Sequence, residues 1–256
     1  MRLLVVLSSL AMPAVAWLSQ RGVFGPDNGT VSDRYPTLLV AAGYAFAIWG
    51  LIFLLDVAYG IWQATGARRR DPALDRVAPW AAGGFALTAG WMPLFSLGAA
   101  TPGLFWVCLL VIIGALACMA CAAARAVDGV VPAWARNALA LHAGWLSLAV
   151  FLNLAQVIVA FRLLSPTHML GWSLGLFAAA ACVLALVNLR LRGQWGYVVA
   201  GIWGLAGVYV HQSESSLPGA GAAALVAFGI GVLILAQTLW LQLREPALGA
   251  RTVPAE

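Results

Sequence analysis

The chain has 256 residues, of which 63% are hydrophobic and only 9% charged, and its mean hydropathy is +0.92. A soluble domain carries about 25% charged residues, so this composition excludes a water-solvated globule and points to an all-α integral membrane protein. The formal charge of +5 does not indicate nucleic acid, because the basic residues follow membrane topology, as set out below.

Crossing a bilayer as a helix takes about 20 predominantly apolar residues. Eight stretches meet that requirement: 3–19, 38–64, 79–98, 103–125, 135–161, 169–189, 195–212 and 219–243. Turn residues or charges separate them, as in "SQRGVFGPDNGTVSDRYP", "GARRRDPALDR" and "QSESSLPGAG". The first stretch, "MRLLVVLSSLAMPAVAW", reads as a transmembrane helix. A cleaved signal peptide is its alternative reading, given the basic start and the Ala-Val-Ala ending.

All 14 basic residues are arginine. With the N-terminus inside, Arg2, Arg68, Arg69, Arg70, Arg76, Arg125, Arg136, Arg190, Arg192, Arg244 and Arg251 fall at cytoplasmic ends, and only Arg21, Arg34 and Arg162 fall outside. This bias predicts eight spans with both termini cytoplasmic. The arginine-only, Ala- and Gly-rich composition suggests a GC-rich bacterial genome and hence a bacterial inner membrane. Cys108, Cys118, Cys121 and Cys182 lie in apolar runs, and the Cys118-x-x-Cys121 spacing lacks a second ligand pair. The thiols are therefore read as inert and no metal site is predicted.

There are twelve tryptophans. Eight fall near predicted span ends, where indole favours the headgroup boundary. Trp49, Trp91, Trp145 and Trp203 fall near span centres, where an indole N–H needs a partner, so these rings are expected to face the bundle interior or a ligand. On the second span Trp49, Phe53, Asp56 and Gly60 share a helical face. A carboxylate in lipid costs roughly 2.5–3.5 kcal/mol, so that face is expected to point into protein. Asp56 lies about 7 Å to the cytoplasmic side of its span centre and His142 about 9 Å to the same side of the fifth. The level depth makes them candidate partners, either a proton-linked or ligand-orienting pair, or two separately satisfied polar groups. Asn153 and Gln156 add polar groups to the outer half of the fifth span, and Gly171 and Gly175 form a GxxxG on the sixth.

Three runs, "FAIWGLIF" (46–53), "WMPLF" (91–95) and "WLSLAVFLN" (145–153), resemble patterns of the TspO/translocator protein (tryptophan-rich sensory protein) family on its second, third and fifth helices. The resemblance covers residues 1–161 and implies a five-helix membrane core, with 162–256 as a three-helix C-terminal extension ending in a short cytoplasmic tail. It further implies an interior pocket for flat hydrophobic ligands such as porphyrins and other tetrapyrroles, with Trp49, Phe53, Asp56, Trp91, Phe95, His142, Trp145 and Asn153 as candidate ligand-binding residues. No cofactor is required by this reading, and a bound tetrapyrrole is the candidate ligand. Phe53, Thr88 and Leu141-His142 depart from the family pattern, where Tyr, Asn and Pro-Tyr are usual, among the groups that would orient a ligand. Binding and sensing is the leading function. A transporter using Asp56 as its coupling group, or a light-dependent porphyrin-degrading enzyme, is the alternative, although no inverted repeat is evident and no catalytic residue is assigned. The expected partners are the lipid bilayer, a hydrophobic small molecule and a second copy of the chain in a homodimer.

Overall fold

The computed structural model describes residues 1–129 and 131–249; Arg251 and the predicted cytoplasmic tail lie outside the described residues. Among the described residues there are nine α-helices and no strand. They are α1 (Arg2–Gln20), α2 (Asn28–Asp33), α3 (Ile48–Gln63), α4 (Pro72–Gly98), α5 (Leu104–Asp128), α6 (Ala133–Ala160), α7 (Met169–Arg190), α8 (Trp195–Glu214) and α9 (Ala220–Gly249).

Six helical stretches among the described residues are long and apolar enough to cross a membrane: Arg2–Gln20, Gly43–Gln63, Leu104–Asp128, Ala133–Ala160, Pro166–Arg190 and Ala220–Arg244. The other two long helices, α4 with 27 residues and α8 with 20, reach about 40 Å and 30 Å at 1.5 Å per residue. They are less apolar: α4 carries Asp75, Arg76, Pro79 and Pro93, and α8 ends in Gln212 and Glu214. Asp71 caps α4 by accepting from the Ala73 amide at 2.8 Å, with Pro72 preset for the first helical turn.

Contacts run from α1 to α3, α3 to α6, α6 to α5, α5 to α4, and α4 back to α1. Helix α1 is tightly held in this circuit, with Val5 and Met12 fully buried and Arg2 bonded to Gln63. On its other side α6 packs against α7 and α8, and α9 covers both of those. Helix α6 therefore meets protein almost all round, and its side chains from Leu139 to Phe151 are all buried. The α6–α8 approach depends on glycine: a methyl group at Gly144 would meet the Tyr197 carbonyl, and one at Gly196 the Asn137 carbonyl. Gly171 and Gly175, expected to permit close packing, have no neighbour within 4 Å of a would-be Cβ. They lie on an exposed face of α7.

One predicted element needs correction. The stretch 38–64 is not a single helix: residues 37–42 are irregular with a turn at Leu38–Leu39, Gly43–Ala47 is a 3-10 turn, and α3 begins only at Ile48. Trp49 is thus in the first turn of its helix and not at its centre. The irregular part is nonetheless buried, with Leu38, Leu39 and Ala41 at 0 to 4% exposure. Its backbone groups bond to α8 in place of a helical partner. The Ala42 amide donates to the Gly207 carbonyl at 2.9 Å, and Gln212 Nε2 donates to the carbonyls of Thr37 and Val40 at 3.2 and 3.1 Å. Non-helical backbone at membrane depth is tolerated where protein satisfies it.

Candidate ligand-binding site

Two layers of candidate site side chains stack between α3, α4 and α6. The first is polar. His142 Nδ1 on α6 lies 2.7 Å from Asp56 Oδ2 on α3, and His142 Nε2 lies 3.2 Å from Thr88 Oγ1 on α4. Asp56 and His142 are both fully buried. With Nδ1 protonated, the imidazole donates to the carboxylate while Nε2 accepts from the Thr88 hydroxyl, which satisfies both ring nitrogens. Asp56 Oδ1 has no partner, and neither has the Tyr59 hydroxyl one turn further along α3. Gln63 follows on the same helix, accepting from Arg2 Nη1 at 3.0 Å and donating to the Gly60 carbonyl at 2.8 Å.

The second layer is aromatic and lies toward the N-terminal end of α3. The Trp49 ring meets His142 edge-on at 5.8 Å and Trp145 edge-on at 5.9 Å, and stacks on Phe53 at 5.4 Å. Phe85 lies flat against His142 on the α4 side, 6.0 Å away. Trp91 donates from Nε1 to Asn153 Oδ1 at 3.0 Å, and Asn153 Nδ2 donates to the Ala149 carbonyl at 2.8 Å. Trp91 also packs on Phe95 at 4.7 Å.

These rings border two adjoining spaces. The inner one has room for about 30 Å³ and is walled by Trp49, Trp91, Phe95, Trp145, Asn153 and Gln156, among others; that is enough for a water or two. Trp145 Nε1 and Gln156 Nε2 are buried on its wall without a hydrogen-bond partner. The larger space, about 550 Å³, shares Asn28, Phe46, Trp49 and Trp91 with the first and adds Trp17, Gly50, Phe53 and Met92. It falls within the 300–1,000 Å³ range of small-molecule sites. Its rim is polar, with Gln20, Asp27, Thr30 and Asp33. Asp27 caps α2, accepting from the Thr30 hydroxyl at 2.6 Å and the Thr30 amide at 3.0 Å; these bonds hold its carboxyl below the ordinary carboxylate value.

Of the eight residues singled out from sequence, Trp49, Trp91, Phe95, Trp145 and Asn153 border the inner space, and Phe53 borders the outer one. Asp56 and His142 meet, as their level positions along the two helices had suggested, but border neither space; Trp49 stands between them and both cavities. Trp203 also departs from expectation. It is 39% exposed, and its Nε1 donates to the Ala45 carbonyl at 2.8 Å, so it neither lies in the interior nor reaches a cavity. The wall residues Asn28, Tyr35, Thr37 and Phe46 come from the stretch between α1 and α3, where hydropathy places loop and helix alike. The Asp27-x-x-Thr30 spacing was the one signal there, marking the cap of α2.

No curated protein and no solved structure matches the chain. The family model described as TSPO-like protein matches residues 2–240, a span that continues past residue 161 through α7, α8 and most of α9. With its many apolar helices and a match over nearly its whole length, the chain is a membrane protein of the TSPO-like family.

Proposed function

We propose that the chain is a multi-pass binding and sensory protein that holds a flat hydrophobic ligand, a porphyrin or related tetrapyrrole, against the tryptophans between α1, α3 and α4. The observation that carries this reading is the space of about 550 Å³ walled by Trp17, Phe46, Trp49, Phe53 and Trp91. Flat aromatic walls suit a flat ring, and the unpartnered donors of Trp145 and Gln156 next to it offer hydrogen bonds to an acceptor on its edge. In this reading α4 and α8 complete eight spans, α1, α3, α4, α5 and α6 form the ligand-binding core, and α7 to α9 form the C-terminal extension. The arginine distribution supports a bacterial inner membrane with both termini cytoplasmic.

The test is a titration of protoporphyrin IX into purified protein, following tryptophan quenching in darkness and under illumination. Saturable quenching lost in Trp49→Leu and Trp91→Leu variants supports binding. Porphyrin breakdown that needs both light and protein points to the enzyme. Absence of saturable quenching overturns the reading. Proton-linked transport is favoured by one separate observation, the fully buried Asp56–His142 pair. Porphyrin uptake into proteoliposomes driven by a pH gradient, and abolished in Asp56→Leu, decides for it.

A further inference from the structure

The segment 37–47 forms part of both cavities, supplying Thr37, Val40 and Phe46 to the inner one and Gly43 and Phe46 to the outer. Its internal bonds are short-range: the Val40 amide closes a turn on the Thr37 carbonyl, and Gly43–Ala47 forms a 3-10 turn. The long-range bonds that fix its position go to α8, a helix that borders neither of these cavities. The Trp203 indole donates to the Ala45 carbonyl at 2.8 Å and its ring meets Tyr44 edge-on at 5.7 Å. One turn on, the Gly207 carbonyl accepts from the Ala42 amide, and Gln212 reaches the carbonyls of Thr37 and Val40. Between these bonds the two elements touch backbone to backbone: a Cβ at Gly207 would lie 2.6 Å from the Ala45 Cβ and 3.3 Å from that of Ala41. Four hydrogen bonds from three successive turns of one helix hold eleven residues of cavity wall.

We propose that α8 is a working part of the ligand site, with Trp203, Gly207 and Gln212 as positioning residues that hold the 37–47 segment, and Phe46 with it, in the ligand-binding position. The proposal rests on the binding reading above. It gives the C-terminal helices a role in affinity, although none of their side chains faces the ligand space. If the segment leaves its place, the binding-competent fraction falls and the apparent affinity falls in proportion.

The experiment compares Gly207→Ala, Ala45→Gly and the double variant in the full chain, using protoporphyrin IX as probe together with amide hydrogen exchange over residues 40–47. Gly207→Ala pushes the segment off α8. It is expected to weaken probe binding at least about fivefold and to speed exchange over 40–47. Ala45→Gly removes the opposing methyl group, and the double variant is expected to recover both readouts to the level of the Ala45→Gly single. Trp203→Phe, which keeps the ring and removes the donor, is expected to act in the same direction. Gly196→Ala strains the same helix against Asn137 without touching the segment. It serves as the control for mere destabilisation and is expected to leave probe affinity unchanged. Faster exchange with unchanged affinity overturns the proposal, as does an equal loss of affinity in Gly196→Ala. If the wild type shows no saturable binding, the binding reading has failed and the affinity role of α8 fails with it. The exchange data then still report whether Gly207 anchors the segment, so the two failures are told apart.

Discussion

Removing either member of the Asp56–His142 pair strands the other in the protein interior. Both side chains have no exposed surface, the bond is 2.7 Å long, and Asp56 Oδ1 has no second partner to fall back on. His142→Phe keeps an aromatic ring against Phe85 and Trp49 while deleting both nitrogens. It leaves the carboxyl with no hydrogen bond at all and the Thr88 hydroxyl without its histidine partner, a change of the kind that costs about 3–5 kcal/mol. Asp56→Leu keeps most of the volume and strands an imidazole nitrogen, costing about 1–3 kcal/mol for a buried unsatisfied donor. If the two sites were independent, the double variant would lose roughly 4–8 kcal/mol, the sum of those two figures. In the double variant the carboxyl and the imidazole are removed together and only the Thr88 hydroxyl is left unpaired, so its loss is expected to fall short of that sum by about 0.5–3 kcal/mol. Equilibrium unfolding of the four proteins in mixed micelles, followed by helical circular dichroism, measures the cycle. Additivity within about 0.5 kcal/mol, or an Asp56→Leu variant more stable than wild type, refutes the reasoning.

Other outcomes follow from the same geometry. Trp91→Phe removes the donor to Asn153, and is expected to lower stability by about 0.5–1.5 kcal/mol and to weaken porphyrin quenching. Gly144→Ala drives a methyl group into the Tyr197 carbonyl and is expected to cost about 1–3 kcal/mol. Gly171→Ala, on an open face, is expected to stay within about 0.5 kcal/mol of wild type in the same unfolding assay. Because the carboxyl of Asp27 is held below its ordinary value of 3.8 by Thr30, the cap of α2 contributes its full stability above that value. That contribution is lost as pH falls through the lowered one. Amide exchange over 28–33 is therefore expected to be independent of pH, after correction for intrinsic rates, from neutral down to about pH 4, and to accelerate below it. A reporter fused to the C-terminus is expected to be active in the cytoplasm; a periplasmic signal would reverse the arginine-based topology.

The Asp56–His142 contact was legible in sequence because two long helices running in opposite senses fix depth at 1.5 Å per residue, and a polar group in lipid must face protein. The convergence of Trp49, Trp91 and Trp145 was legible for the same reason. The start of α3 was not. Hydropathy reads side chains, and "TLLVAAGYAFA" is as apolar as a helix. Whether such a stretch coils depends on where its backbone groups find partners, and those partners, Gly207 and Gln212, lie more than 160 residues away. The misplaced centre of the second span follows from that, and so does the misjudged Trp203, whose N–H reaches the Ala45 carbonyl in the 3-10 turn. The larger cavity was equally hidden, because α2 and its approach supply much of the rim and their placement depends on the cap of a six-residue helix.

The anchoring of 37–47 by α8 also sets an order of events during synthesis. Ala45 and Trp203 are 158 residues apart, and at 5–20 residues per second the ribosome takes roughly 8 to 32 s to cover that distance. For that interval α1 and α3 are made while the carbonyls of Thr37, Val40 and Ala45 lack their bonds from α8. A chain stalled or cleaved before α8 emerges has every tryptophan that borders the two cavities, yet one side of their wall lacks its bonds to α8. On the proposal that α8 positions this segment, a part of the chain made late completes one made early, and truncation before α8 is expected to leave 37–47 without its long-range bonds.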